Sequence, residues 1–243
     1  MKHISFDISK ESIKKFIKLI VLMVIMPWQT LYYSYAKDGA INLAGNIDRN
    51  GVYLFYLHGG IVQEQGANAV SKDFGRYEYH AILDSFKSQG FQVISEVRPR
   101  GTQEISYAKK VCRQIDSLLL KGISPKNIVV VGASQGGFIT IEIAHLMKNN
   151  EIGYVILGVC NEYNVKYYKN IRKQLCGNFL SIFESSDNKR SCRELLGDSD
   201  CKSRFREVNL TMGNGHGFIF KPYDEWMKPI SVWIKETSLN NEN

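Results

Sequence analysis

The stretch Gly132-Ala133-Ser134-Gln135-Gly136 constrains this chain more than any other. It follows the β-rich run Asn127-Ile128-Val129-Val130-Val131. It leads into the apolar, helix-compatible segment Gly137-Phe138-Ile139-Thr140-Ile141-Glu142-Ile143-Ala144. A continuous apolar run of this kind, bounded by turn residues, reads as a buried strand. To pass from such a strand straight into a helix, the backbone must turn within a few residues. The two backbones then run so close together that a side chain at either glycine has no room. The turn lifts the serine hydroxyl out of the sheet and points the next backbone N–H at the same space.

The rest of the chain supplies a sheet for that turn to sit in. From residue 50 onward strand and helix patterns alternate, which predicts an α/β fold: a mostly parallel central sheet with helices on both faces. Val52–Leu57 is a β-rich run ending in His58-Gly59-Gly60. Tyr77–Gln89 has helical spacing through Tyr77, Ile82, Leu83 and Phe86, and Gly90 stops it. Phe91–Val97 reads as a strand closed by Arg98-Pro99-Arg100-Gly101. Gln103–Lys121 reads as an amphipathic helix with Val111, Ile115, Leu118 and Leu119 on one face. Asn127–Val131 is the strand into the turn and Gly137–Lys148 the helix out of it. Tyr154–Val159, Phe179–Phe183 and Val208–Met212 complete about six strands. Pro222–Lys235 is the last helix, with Trp226, Ile230, Trp233 and Ile234 turned inward. Residues 160–178 read as a short insertion, too small for a separate lid domain, so an open site is expected. No repeat or low-complexity linker interrupts the pattern.

The 243 residues are 44% hydrophobic, enough for one ordinary core. Formal net charge is +7, of which residues 1–36 hold +3 through five lysines against Asp7 and Glu11. The mild remainder and the lack of a lysine/arginine run give no support for nucleic-acid binding. Within residues 1–36, Lys14, Lys15 and Lys18 flank the apolar stretch Leu19–Met26, and Ser34-Tyr35-Ala36 offers small residues for cleavage. That is the order of a signal peptide. The apolar run is short for a bilayer span of about 20 residues. An uncleaved anchor, associating with the membrane through residues 14–33, is the alternative. Either reading places a single domain, residues 37–243, outside the cytoplasm, in the periplasm or secreted.

All five cysteines, Cys112, Cys160, Cys176, Cys192 and Cys201, lie in that domain and fit an oxidising compartment. The odd count leaves at least one unpaired. Cys192–Cys201 and Cys160–Cys176 are plausible pairs on sequence distance, with Cys112 a buried free thiol inside a helix. No Cys/His spacing suggests a zinc site.

Ser134 in its sharp turn has the layout of a nucleophile elbow. A serine hydroxyl is a weak nucleophile and needs a base in reach and an acid to orient that base. Of five histidines, His3 lies in the leader, His58 in a glycine turn, and His80 and His145 inside predicted helices. His216 remains, in the glycine-rich loop Gly213-Asn214-Gly215-His216-Gly217-Phe218 after the last strand. For the acid, Phe179–Phe183 runs out through Glu184 to Asp187 at a loop tip; Asp187 is preferred, with Glu184 at the strand end as competitor, orienting the loop instead. Asp198 and Asp200 read as solvated. The turn His58-Gly59-Gly60 offers a backbone N–H at Gly60, or at Ile61, to pair with that of Gln135 around a developing negative charge. Arg98 and Arg100, at the C-terminal end of a strand, either grip an anionic substrate or pair with Glu96 or Glu104. Tyr163, Tyr167 and Tyr168 either line an apolar cleft or cover the core.

Strand-His-Gly-Gly, then Gly-x-Ser-x-Gly, then Asp, then Gly-His-Gly resembles the α/β-hydrolase superfamily over roughly residues 50–236. The order Ser134, Asp187, His216 is that family's order. The resemblance implies Ser134 as nucleophile, His216 as base, Asp187 as orienting acid, and Gly60 and Gln135 as oxyanion donors. It implies a small lidless serine hydrolase acting on a small-molecule carboxylic ester through an acyl-enzyme, with no metal or organic cofactor. A peptidase or thioesterase with the same triad is an alternative, as is a non-catalytic binding domain of the same fold.

Overall fold

The computed structural model describes residues 47–171, 174–197, 199 and 201–238. The predicted leader, Asp198 and Asp200 lie outside the described residues.

Six strands form one sheet: β1 (Tyr53–Leu57), β4 (Gln92–Ile94), β5 (Ile128–Ala133), β6 (Gly153–Leu157), β7 (Gly177–Glu184) and β8 (Lys202–Leu210). Their order is β4-β1-β5-β6-β7-β8, and every pairing is parallel. β1, β5 and β6 are buried along their whole length, as their unbroken apolar sequences require. Among the described residues six α-helices accompany the strands: α1 (Gly60–Gln65), α2 (Tyr79–Ser88), α3 (Glu104–Leu120), α4 (Gln135–Met147), α5 (Glu162–Ile171) and α6 (Asp224–Ser238). Alternate strand residues face opposite ways. Leu54, Val129, Val131, Val155 and Leu180 meet Ile82 and Phe86 of α2 and Trp226, Ile230 and Trp233 of α6 in one core. On the opposite face α4 packs across β1, β5 and β6, and α3 packs on α4.

The chain leaves β1 toward β4 at one side, then returns to place β5 on the other. That reversal opens a crevice beyond the carboxyl ends of β1 and β5, where open α/β sheets bind ligands. His58-Gly59-Gly60 and Ser134 stand at those two ends.

Several elements differ from expectation. β4 is shorter than Phe91–Val97, because the chain leaves the sheet after Ile94: the Ser95 hydroxyl bonds the Tyr56 carbonyl at 2.6 Å and the Arg98 N–H reaches the His58 ring. α4 begins at Gln135 rather than Gly137, since the Ser134 carbonyl already accepts the N–H groups of Gly137 and Phe138. β8 begins at Lys202 rather than Val208; its sequence Lys-Ser-Arg-Phe-Arg-Glu is an exposed edge and carries no apolar run to read. The 160–178 insertion contains α5. α1 and a small antiparallel hairpin, β2 (Val70–Ser71) with β3 (Gly75–Arg76), had no counterpart in the sequence reading.

The cysteine pairing is also corrected: the disulfides are Cys160–Cys192 and Cys176–Cys201, leaving Cys112 free. Parallel register explains the second. Gly177 of β7 lies opposite Lys202 of β8, so the residues just before them, Cys176 and Cys201, are neighbours. Cys160 follows β6 at the other end of the sheet, where Arg190 forms an isolated bridge with it and brings Cys192 alongside. Cys112 is half-buried rather than sealed, and burial pushes its thiol up to about 12.

Candidate active site

The turn after β5 has the geometry its sequence demands. Ser134 takes φ 52° and ψ −114°, a backbone region an L-residue occupies only when its surroundings impose it. A Cβ at Gly136 would lie 1.9 Å from the Leu57 carbonyl oxygen, and one at Gly132 2.3 Å from the Gly136 carbonyl oxygen. Both glycines are therefore required by close approach of β1, β5 and α4. Ser134 is half-buried, and its N–H donates to the Leu157 carbonyl at 2.9 Å.

His216 reaches the same strand end. A Cβ placed on Gly158, which follows Leu157, would be 3.2 Å from His216 Cε1. Ser134 and His216 thus flank the tip of β6. His216 Nδ1 donates to Asp187 Oδ2 at 2.6 Å; the carboxylate accepts, so the Nδ1 proton is fixed and Nε2 is left as the ring's accepting nitrogen. Asp187 is 4% exposed, so this bond is shielded from water. No hydrogen bond joins the Ser134 hydroxyl to His216 among the described residues.

Glu184 takes the other role foreseen for it. Its carboxylate accepts N–H bonds from Met212 at 2.8 Å, Ser186 at 3.1 Å and Gly213 at 3.4 Å, and the Ser186 hydroxyl at 3.0 Å. The Ser186 oxygen in turn accepts the Gly215 N–H at 2.9 Å. Burial pushes the Glu184 carboxyl up, but these donors outweigh it and hold it below the usual carboxylate range. Glu184 fastens the 212–215 loop that carries His216 and makes no bond to its ring.

The other histidines are placed elsewhere. His58 is fully buried; its Nδ1 donates to the Gly59 carbonyl and its Nε2 accepts the Arg98 N–H, each at 2.9 Å. Burial, and then the Arg98 charge, lower it to about 3, so it is neutral and both its nitrogens are engaged. His80 is exposed, and His145 Nδ1 lies 3.3 Å from the Gln174 carbonyl.

Gly60, half-buried, stands against the Ser134 turn: a Cβ there would be 3.2 Å from Gln135 Oε1. A Cβ at Gly59 would meet Ser134 Cβ at 3.7 Å. The turn after β1 and the turn after β5 are therefore in van der Waals contact, and Gly60 and Gln135 open α1 and α4 respectively.

The arginines separate. Arg100 is exposed and pairs with Glu64 at 3.0 Å, not with Glu96 or Glu104; Glu96 pairs with Lys110. Arg98 is 1% exposed and bonds Gln63, His58 and Gln135. Of the insertion tyrosines, Tyr168 is buried and stacks on Phe138, whereas Tyr163 and Tyr167 are exposed on α5. The sequence reading did not foresee the hairpin: Phe74 covers Gly217, so close that a Cβ there would be 2.7 Å from its ring. An open cleft of about 490 Å³ lies beside the His216 loop, between Phe74 and Tyr223.

No protein-family model matches the chain, and no curated protein matches it in sequence. Solved structures do. The α/β hydrolase MGS-M1 from a deep-sea metagenome superposes with a TM-score of 0.53 at 14% identity, over 78% of this chain and 86% of its own. A sugar hydrolase, YeeB of Lactococcus lactis, gives 0.52 at 16%, over 79% and 92%. SOBER1 of Arabidopsis thaliana gives 0.50 at 17%, over 76% and 98%. At these identities the likeness is one of fold. The chain has the α/β-hydrolase fold, as the order of its motifs implied.

Proposed function

We propose that this protein is an exported serine hydrolase that cleaves carboxylic esters through an acyl-enzyme. The observation that carries the reading is the 2.6 Å bond from His216 Nδ1 to the shielded Asp187, beside a serine held at φ 52° on the same strand end. In this reading His216 Nε2 takes the Ser134 proton as Oγ attacks the ester carbonyl. Asp187 holds the ring in the required tautomer and supports the imidazolium that forms. The N–H groups of Gly60 and Gln135 receive the oxyanion. His216 then returns the proton to the leaving alcohol, and water repeats the sequence on the acyl-serine.

Hydrolases among the structural neighbours support hydrolysis as the general chemistry. Two disulfides support an oxidising compartment. Among the described residues no helix is long and apolar enough to cross a membrane. The alternative to export with cleavage is an anchor through residues 14–33. N-terminal sequencing of the exported protein should begin at Lys37; a chain that starts near Met1 and fractionates with membranes favours the anchor.

The deciding experiment is labelling with a fluorophosphonate, which reacts with activated serines. The purified protein should label once, and Ser134→Ala, still folded, should neither label nor turn over an ester. A folded protein that never labels overturns the reading, and a mutant that labels fully moves the nucleophile elsewhere.

A further inference from the structure

Arg98 is a buried arginine without a direct ion pair. Its side chain is 1% exposed, yet among the described residues no carboxylate lies within ion-pair distance. Its bonds all go to neutral groups around one turn. Nε donates to Gln63 Oε1 at 3.0 Å, and Nη2 to the His58 carbonyl at 2.6 Å and to Gln135 Oε1 at 3.4 Å. Its backbone N–H donates to His58 Nε2 at 2.9 Å. The guanidinium lies 5.5 Å from the Tyr107 ring centre, and Nη1 is buried with no hydrogen-bond partner. Removing a cation from water without a direct ion pair is costly, and an apolar residue would fill the space at less cost. Packing alone gives no reason for an arginine here.

What the fork joins gives one. The His58 carbonyl belongs to the turn after β1, and Gln135 directly follows the serine after β5. The Gln135 side chain lies where a Cβ on Gly60 would touch it. It also faces the half-buried Glu104 carboxyl, which burial pushes up and the Gln135 side chain holds down. One guanidinium therefore spans the two turns whose N–H groups are the proposed oxyanion donors, and the Glu104 carboxylate acts on its charge without a direct ion pair. We infer that Arg98 is a positioning residue that clamps the His58-Gly59-Gly60 turn to Gln135 and so fixes the two oxyanion donors relative to Ser134. This rests on the reading of Ser134 as nucleophile.

The test uses Arg98→Lys, which keeps a charge but loses the planar fork, and Arg98→Gln, which loses both. Fluorophosphonate labelling rate, kcat and KM on a p-nitrophenyl ester, and amide exchange at Val62, whose N–H bonds the Gly59 carbonyl of the same turn, are measured together. Misplacement of a donor by a fraction of an ångström should cost kcat and labelling rate on the order of tenfold to a hundredfold in both variants, with KM within about twofold. Exchange at Val62 should speed up. Folded variants with kcat and Val62 exchange within twofold of the parent overturn the inference. If neither variant folds, Gln135→Met opens the clamp from its other end. It should slow turnover and speed Val62 exchange, and no change in either overturns the clamp equally. If the parent protein itself fails to label, the nucleophile reading falls, and Val62 exchange alone decides the clamp.

Discussion

His216 Nδ1 and Asp187 Oδ2 lie 2.6 Å apart, while Glu184, three residues before the aspartate, spends its carboxylate on the backbone of the loop that carries the histidine. Two acids at one strand end thus act on one histidine by different routes. Asp187→Asn should lower kcat by at least on the order of a hundredfold with little change in melting temperature, because an amide does not support the imidazolium. Glu184→Gln should cost much less in kcat and more in stability, about 2 kcal/mol, since it weakens several charge-assisted bonds at once. Ester kinetics and thermal melts of both variants check this. Reversed kinetic effects would make Glu184 the acid.

The contact of Gly136 with β1 predicts a structural failure. With a Cβ 1.9 Å from the Leu57 carbonyl oxygen and 2.9 Å from that of His58, Gly136→Ala must displace a backbone that the central sheet holds in place. We expect a loss of at least about 3 kcal/mol, read as a urea midpoint or as insolubility. Gly197→Ala, whose Cβ meets nothing closer than 3.4 Å, is the control and should stay within about 1 kcal/mol. Equal midpoints for the two would remove the steric argument for the turn.

His58 should write its burial into the pH dependence of stability. It stays neutral in the fold down to about 3, against an ordinary value of 6.5. In that interval the unfolded chain binds a proton that the folded one refuses, so stability falls as pH drops from about 6.5 to about 3 and levels off below. The loss approaches about 1.4 kcal/mol per pH unit. Glu184, whose value is lowered, loses its own contribution as pH falls through the carboxylate range, but it does so in parent and variant alike. His58→Asn has no such titration, so urea midpoints at pH 7, 5 and 4 should decline less steeply for the variant. Parallel declines would contradict the neutral, buried state of His58.

The end of the sheet that holds Ser134 was legible because its constraints are local. The glycines around Ser134, the apolar β1 and β5, and the chain order of Ser134, Asp187 and His216 each leave a mark within a few residues. What was missed is either short or held by distant partners. β8 is an edge strand whose outward residues Lys202, Arg204 and Arg206 hide its first half from an apolar pattern. With β8 begun at Val208, Cys201 looked like loop, and nothing placed it beside Cys176. Arg98 lies just beyond a strand end, but its bonds run to Gln63, His58 and Gln135, each at least 35 residues away. The one available signal was its position beside the crevice, which does not tell a clamp from a substrate ligand.

The two disulfides should differ in what they support. Each closes a loop, with sequence separations of 32 for Cys160–Cys192 and 25 for Cys176–Cys201, worth about 3–4 kcal/mol apiece by chain entropy. Thiol counting under denaturing conditions without reductant should find one free thiol, Cys112, and peptide mapping should return these two pairs. Five free thiols in protein from an oxidising compartment would refute both bridges. Beyond stability the two part ways. Cys176–Cys201 ties the amino ends of β7 and β8, away from Ser134, so the double Cys→Ser variant should melt lower yet label with fluorophosphonate at the parent rate. Cys160–Cys192 ties the carboxyl end of β6 to the segment that follows Asp187. Cys192 is further held by its N–H bond to Glu207 at 2.8 Å. Its double variant should melt lower and also label severalfold more slowly, because the loop bearing the His216 partner loses its anchor. Equal labelling rates in the two double variants would mean that the Glu184 and Glu207 bonds fix that loop without help from the bridge.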